Sequence, residues 1–304
     1  MRLNPWFLII LTCLAVATAG GCRRNKSGAL NVVGSTSIQP FAEMLAQDFN
    51  ASHKEFNVEV QGGGSAQGID NVRKAIADIG MCSRDLKDDP EETGKCDPVV
   101  IAYDGLAIVV HPNNPVRGLT REQAAGIFSG EITNWREVGG EDRPIHVITR
   151  EEGSGTREAF VKMVMHDGRI FRKAVTQESN GAVKELVRTD KSGIGYMSLG
   201  IVLQDKGLKP LEIDGIAPTT QGVRDGSYKL KRPFLFVFRK GETPGKAAQA
   251  FTEYVLSPAG QQVLEREGLI SLTEAQKKVP WATTAAATGP TTGPTTTTQA
   301  ATVK

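Results

Sequence analysis

The chain has 304 residues, with 36 Lys and Arg against 34 Asp and Glu, a formal net charge of +2 at pH 7. That near balance, without a long basic block, excludes a dedicated nucleic-acid-binding face. The length admits two domains with substantial cores, and 33 glycines with Ser/Thr-rich turns fit an α/β chain with many tight strand–helix junctions.

Residues 1–22 read as a secretory leader. Arg2 is a minimal positive region, residues 6–17 are mostly apolar, and Ala19-Gly20-Gly21-Cys22 is a small-residue cleavage site ending in cysteine. The apolar run is short for a transmembrane anchor. The residues before Cys22 resemble a bacterial lipobox, with Ala19 where Leu is usual. That resemblance implies a lipid on Cys22 that tethers the chain outside the cytoplasmic membrane. Residues 23–28 are a polar tether. Arg23 stands where an aspartate often marks inner-membrane retention, so periplasm and cell surface both stay open.

The body then alternates strand-like and helix-like patterns. Residues 30–33 predict a strand, and Phe41, Leu45 and Phe49 predict a helix by their i, i+4 spacing. Residues 58–61 predict a second strand, and Ile69, Val72 and Ile76 a second helix. Strands follow at 79–81 and 106–110. Residues 119–128 form a further apolar-periodic segment, and then come a strand at 145–149, helices from about 155 and at 181–188, and a strand at 194–197. Phe234 to Phe238 is a last hydrophobic strand, with two helices after it, at 247–256 and 258–267. This βαβα rhythm predicts a parallel or mixed sheet covered by helices. The tail, 281–304, is rich in Ala, Thr, Gly and Pro and is expected to be disordered.

Cys13 leaves with the leader and Cys22 is taken by the lipid, which leaves Cys82 and Cys96. An even pair in an oxidising compartment can be a disulfide or two buried thiols. His53, His111, His146 and His166 are scattered without ligand spacing, so no metal and no cofactor is expected. Trp135 with Ile132 reads as packing.

The most informative stretch is Arg150-Glu151-Glu152-Gly153-Ser154-Gly155-Thr156-Arg157, between a strand and a helix. It places hydroxyls and free backbone N–H groups at a helix N-terminus, which attracts anions. Arg150 stands where it can offer a bidentate fork. Gly34-Ser35-Thr36-Ser37-Ile38-Gln39-Pro40, Gly62-Gly63-Gly64-Ser65-Ala66-Gln67-Gly68 and Gln177-Glu178-Ser179-Asn180-Gly181 are junctions of the same kind. Any one is an ordinary N-cap, but the first three together predict helix dipoles converging on an anion.

These segments resemble the phosphate-binding proteins of bacterial ABC-type phosphate uptake systems. The marks run from Gly34-Ser-Thr-Ser-Ile-Gln-Pro40 through Ile79-Gly-Met-Cys-Ser-Arg84, Ile127-Phe-Ser-Gly-Glu-Ile-Thr-Asn-Trp135 and the Arg150 stretch. Gly193-Ile-Gly-Tyr196 and Ser257-Pro-Ala-Gly-Gln261 complete the set. The resemblance implies a type II periplasmic-binding-protein fold, two α/β lobes joined by two crossover strands with a ligand cleft. The crossovers would lie near Val109-Val110 and Arg232-Pro233, giving lobe one as 29–109 plus 233–280 and lobe two as 110–232.

Carried over, the resemblance assigns phosphate contacts to Thr36, Ser37, Ser65, Arg150, Ser154, Gly155 and Thr156. Ser83 falls where many members carry an aspartate that accepts the proton of bound phosphate. A carboxylate there accepts from phosphate and repels sulfate. With Ser83 in its place, the Ser83 hydroxyl, Asp85 or Asp104 is the candidate acceptor, and Arg84 binds the anion or pairs with Asp104. The implied protein is a monomer that delivers phosphate to a permease. Tungstate or sulfate is the alternative ligand, and a sensor or adhesin of the same fold the alternative role. An esterase or phosphatase fits poorly. Gly63-Gly64-Ser65-Ala66-Gln67 fails the nucleophile-elbow pattern at its last residue, and Glu152 to Thr156 fails it at both ends.

Overall fold

The computed structural model describes residues 29–281. The leader, the expected lipid site Cys22, the tether and the tail beyond 281 lie outside the described residues. Among the described residues no helix is long and apolar enough to cross a membrane, and no cluster of His, Cys, Asp or Glu is arranged to hold a metal ion.

The chain opens with β1 (Ala29–Gly34), α1 (Gln39–Ser52), β2 (Asn57–Gly62), α2 (Ser65–Arg73) and β3 (Ile79–Cys82). A long strand, β4 (Cys96–Val110), leads to β5 (Gly118–Leu119), α3 (Arg121–Ser129) and a 3-10 turn at Trp135–Val138. Next come β6 (His146–Arg150), α4 (Gly155–Val164), β7 (Val175–Gln177), α5 (Asn180–Thr189), β8 (Gly193–Ser198) and α6 (Leu199–Leu203). The chain closes through β9 (Lys209–Pro210), β10 (Glu212–Ile213), α7 (Thr220–Asp225), β11 (Lys231–Arg239), α8 (Lys246–Leu256) and α9 (Pro258–Arg266).

The main sheet runs β2-β1-β3-β11-β4-β8-β6-β7. β1 pairs parallel with β2 and β3, and β6 pairs parallel with β8 and β7. The two parallel groups are joined by antiparallel β4 and β11. β4 pairs with β11 up to Gly105 and with β8 from Leu106. The core divides at the same place. One cluster gathers Val32, Leu45, Phe49, Ile101, Phe236 and Phe251, and another gathers Leu106, Ile108, Phe128, Trp135, Phe160 and Tyr196. The molecule is therefore two α/β lobes joined by two strands. The first strand changes partner at Gly105–Leu106, a little before Val109–Val110; residues 106–110 are an unbroken apolar run whose sequence carries no mark of the change.

Local chemistry explains most boundaries. α1 has Pro at its start, where the missing N–H is harmless. Its Phe41, Leu45 and Phe49 are buried on one face, with Phe49 edge-on to Phe251 at 5.3 Å. α3 starts on a capping box of Thr120 and Gln123 and stops at left-handed Gly130. α2 ends earlier than its periodicity predicts: Ala75 has φ 58°, and Ile76 is 62% exposed. Trp135 is buried in the second core and donates its Nε1–H to the Ser192 carbonyl at 3.0 Å. Gly34 ends β1 at φ +141°, where a Cβ would sit 2.4 Å from the Met81 carbonyl oxygen. That close approach lets the turn after β1 fold back on β3.

Cys82 and Cys96 are both free and buried, which corrects the disulfide alternative. β11 runs between their strands, with Leu235 opposite Cys82 and Arg239 opposite Cys96. Two strand spacings are roughly 10 Å, beyond the roughly 7 Å limit between bridged Cα atoms. Burial pushes each thiol up to about 11, so neither is a ready nucleophile. Both are expected to resist alkylation in the folded chain and to alkylate fully on denaturation without reductant. Mass spectrometry of the two cysteine peptides checks this; a Cys82–Cys96 linked peptide would contradict it.

Candidate anion-binding site

The four Ser/Thr/Asn junctions meet between the lobes. Ser37, just before α1, places its hydroxyl 2.7 Å from that of Thr156, in the first turn of α4. Asn180, the first residue of α5, lies against both Thr36 and Ser37. Its amide is satisfied with the oxygen facing inward, accepting from Ser37 N at 3.2 Å and Arg150 Nη1 at 3.0 Å. Ser65 opens α2, and its hydroxyl accepts from the Ser83 backbone N–H at 3.1 Å. Gly155 comes so close to this pair that a Cβ on it would lie 2.2 Å from Ser65 Oγ and 2.9 Å from Ser83 Oγ. The Ala66 N–H donates across to the Gly153 carbonyl at 3.0 Å. Ser37, Ser65, Ser83, Ser154, Thr156 and Asn180 are all buried.

Two arginines face this cluster. Arg150, at the end of β6, is 1% exposed. Glu151 takes its Nε and Nη2 at 2.9 and 2.8 Å, which leaves Nη1 toward Asn180. Its backbone is held by Tyr196, whose hydroxyl accepts from Arg150 N at 3.3 Å and pairs with Thr149 Oγ1 at 2.7 Å. Tyr196 therefore supports the site from behind. Arg232, on β11, is 2% exposed. Its Nη1 donates to Thr156 Oγ1 at 2.9 Å and its Nη2 to Ser37 Oγ at 3.2 Å. Its Nε and Nη2 hold Asp104 Oδ2 at 3.1 and 2.9 Å.

Each guanidinium thus has a carboxylate on its far side, with the Asn180 amide on the near side of Arg150 and the Ser37 and Thr156 hydroxyls on the near side of Arg232. That arrangement offsets each charge while keeping donors aimed inward. Burial pushes the Arg232 guanidinium down from its ordinary value, against the opposing pull of Asp104. It remains cationic because that ordinary value lies so far above neutrality. The first turns of α1, α2, α4 and α5 add backbone N–H groups and the positive ends of their helix dipoles.

The structure brings together Thr36, Ser37, Ser65, Ser83, Arg150, Gly155 and Thr156. Ser154 caps α4, accepting from Arg157 N at 3.3 Å, and so shapes the turn. Three expectations change. Arg84 does not meet Asp104: Glu92 holds both its Nη atoms at 2.7 and 2.8 Å, beside the cluster and not within it. Asp104 does not face the cluster. It is fully buried, and four donors occupy its oxygens, from Arg232, Ser198 and Gly200. Burial pushes its carboxyl up while Arg232 opposes that. Asp85 is on the surface, 3.9 Å from Lys162. Of the proposed acceptors, Ser83 alone lies in the cluster. Arg232 and Asn180 are the site residues that the sequence reading did not single out.

A model of the PBP superfamily domain matches residues 19–259. The phosphate-binding protein PstS of Bacillus subtilis is 31% identical over 294 residues, covering 90% of this chain and 96% of that one. A Clostridium perfringens chain, solved with bound phosphate and described as a phosphate ABC transporter substrate-binding protein, is 37% identical with a TM-score of 0.76. The match covers 81% of this chain and all of that one. An ABC-type phosphate transport receptor from Vibrio cholerae is 36% identical with a TM-score of 0.67, over 80% of this chain and all of that one.

Proposed function

The chain belongs to the PBP superfamily and, within it, to the phosphate-binding proteins of ABC transport, and from that premise we propose that it captures inorganic phosphate between its lobes and hands it to a membrane permease. The observation that carries the reading is the pair of buried arginines, each backed by its own carboxylate and aimed at one cluster of hydroxyls and helix N-termini. A tetrahedral oxyanion fills its acceptor positions with such donors. Phosphate takes Arg150 Nη1, Arg232, the hydroxyls of Thr36, Ser37, Ser65 and Thr156, and the N–H groups of Gly155 and Thr156. Closure of the two lobes about β4 and β11 then removes the anion from water. A dissociation constant near micromolar corresponds to about −8 kcal/mol, within reach of these bonds after desolvation.

Nothing in the cluster is poised for turnover. The site hydroxyls bond to one another, to amides and to guanidinium groups, and none bonds to a histidine or a carboxylate that would activate it. The one proton of monohydrogen phosphate goes to a hydroxyl, that of Ser83. Cys22 carries the lipid that anchors the chain outside the cytoplasmic membrane, and the chain works as a monomer.

Titration calorimetry of the ligand-stripped chain tests the reading. One phosphate per chain should bind, and excess sulfate or tungstate should leave that binding in place. Heat from sulfate or tungstate without phosphate binding would keep the oxyanion site and overturn the ligand.

A further inference from the structure

Beside the anion site lies a cavity of about 1310 Å3, lined in part by Arg84, Lys87, Arg157, Glu158 and Arg232. A carboxylate of α4 reaches across it. Glu158, in the first turn of α4, sets its Oε2 3.0 Å from Arg84 Nε and 2.9 Å from Lys87 Nζ. Arg84 and Lys87 belong to the segment after β3, in the other lobe. We propose that Glu158 is a latch between the lobes, one that sets how long the anion of the proposed function stays bound; the idea rests on that reading.

The receiving half of the latch is built within lobe one. Glu92 grips both Nη atoms of Arg84 and accepts from the Lys87 backbone N–H at 2.8 Å. The Arg84 side chain is 7% exposed with the lobes together, and its two bonds to Glu92 lie wholly within lobe one. Arg84 and Lys87 both face the Glu158 carboxylate on closure, while Glu92 holds Arg84 from within lobe one. The delivering half is rigid as well. α4 carries Gly155 and Thr156 into the anion cluster and Glu158 onto Arg84 from the same first turn. One turn further on, Lys162 approaches Asp85 of the same receiving segment at 3.9 Å. A single movement of α4 therefore completes the anion cradle and the ion pairs together.

The sign of the effect separates the latch from simple electrostatics. Glu158 is a negative charge beside an anion site, so field effects alone predict that its removal tightens binding. The latch predicts the opposite, through the dissociation rate.

The test is stopped-flow phosphate binding and release on the full chain and on Glu158→Gln. Release should speed up about 10-fold, with association within about twofold of the parent. The melting temperature without phosphate should stay at the parent value, because the pair forms on closure. Lys87→Gln should speed release in the parent background and add nothing to Glu158→Gln. Unchanged or slower release from Glu158→Gln, or an equal effect of Lys87→Gln in both backgrounds, would overturn the latch. A loss of phosphate-free melting temperature that accounts for the faster release would make Glu158 structural and also overturn it. A parent chain that binds no phosphate would overturn the functional reading, and the latch with it.

Discussion

Arg232→Met is expected to abolish measurable phosphate binding and to lower the stability of the chain by about 3–5 kcal/mol. Two effects combine. The guanidinium touches Asp104, Ser37 and Thr156 together. Removing it takes at least two charge-assisted bonds from the anion, each worth roughly 1.5–3 kcal/mol, so affinity falls by about 100-fold or more. It also leaves the Asp104 carboxylate buried without its counter-charge. Urea unfolding and calorimetry separate the two. In Arg232→Met with Asp104→Leu, stability should return toward the parent while binding stays lost, because a buried pair is replaceable by apolar packing but a ligand donor is not. Retained affinity in the single variant would remove Arg232 from the site.

Gly155→Ala should weaken phosphate binding by about 10- to 100-fold without destabilising the ligand-free chain. The new methyl would meet Ser65 Oγ at 2.2 Å, Ser65 Cβ at 2.9 Å and Ser83 Oγ at 2.9 Å. Ser65 Cβ is fixed to its own backbone, in the opposite lobe, and cannot swing clear, and turning Ser65 Oγ away would break its bond with Ser83 N. The clash exists only while the lobes are together. Alanine is otherwise favoured in a helix over glycine, so urea unfolding without phosphate should match or exceed the parent. Parent-like affinity would show that the lobes do not approach this closely around the ligand.

The sequence showed the anion cradle more clearly than its electrostatics. Helix N-termini are readable because Ser, Thr and Asn are needed there, so Thr36, Ser37, Ser65, Ser154 and Thr156 stood out at once. Arg232 did not, because it lies between Lys231 and Pro233, just before the apolar run that predicted the strand; only the antiparallel partner β4 makes it central. The same strand explains Asp104. An acidic residue near Arg84 in the chain invites a pairing between them, yet register sets Asp104 opposite Arg232. Residues 96–105 were not read as strand, since Asp97, Pro98, Asp104 and Gly105 interrupt the alternation that normally signals one. Within the 177–181 junction the cap of α5 is Ser179, accepting from Ala182 N at 3.1 Å. That frees the Asn180 amide for Ser37 and Arg150.

The most direct measurement is a crystal structure of the chain grown with phosphate and free of sulfate. The account predicts one phosphate between the lobes, bonded to Arg150 Nη1 and Arg232, with Thr36, Ser37, Ser65 and Thr156 around it. Phosphate bound only in the open cavity near Lys229 and Arg172, with Arg150 and Arg232 contacting protein alone, would contradict it.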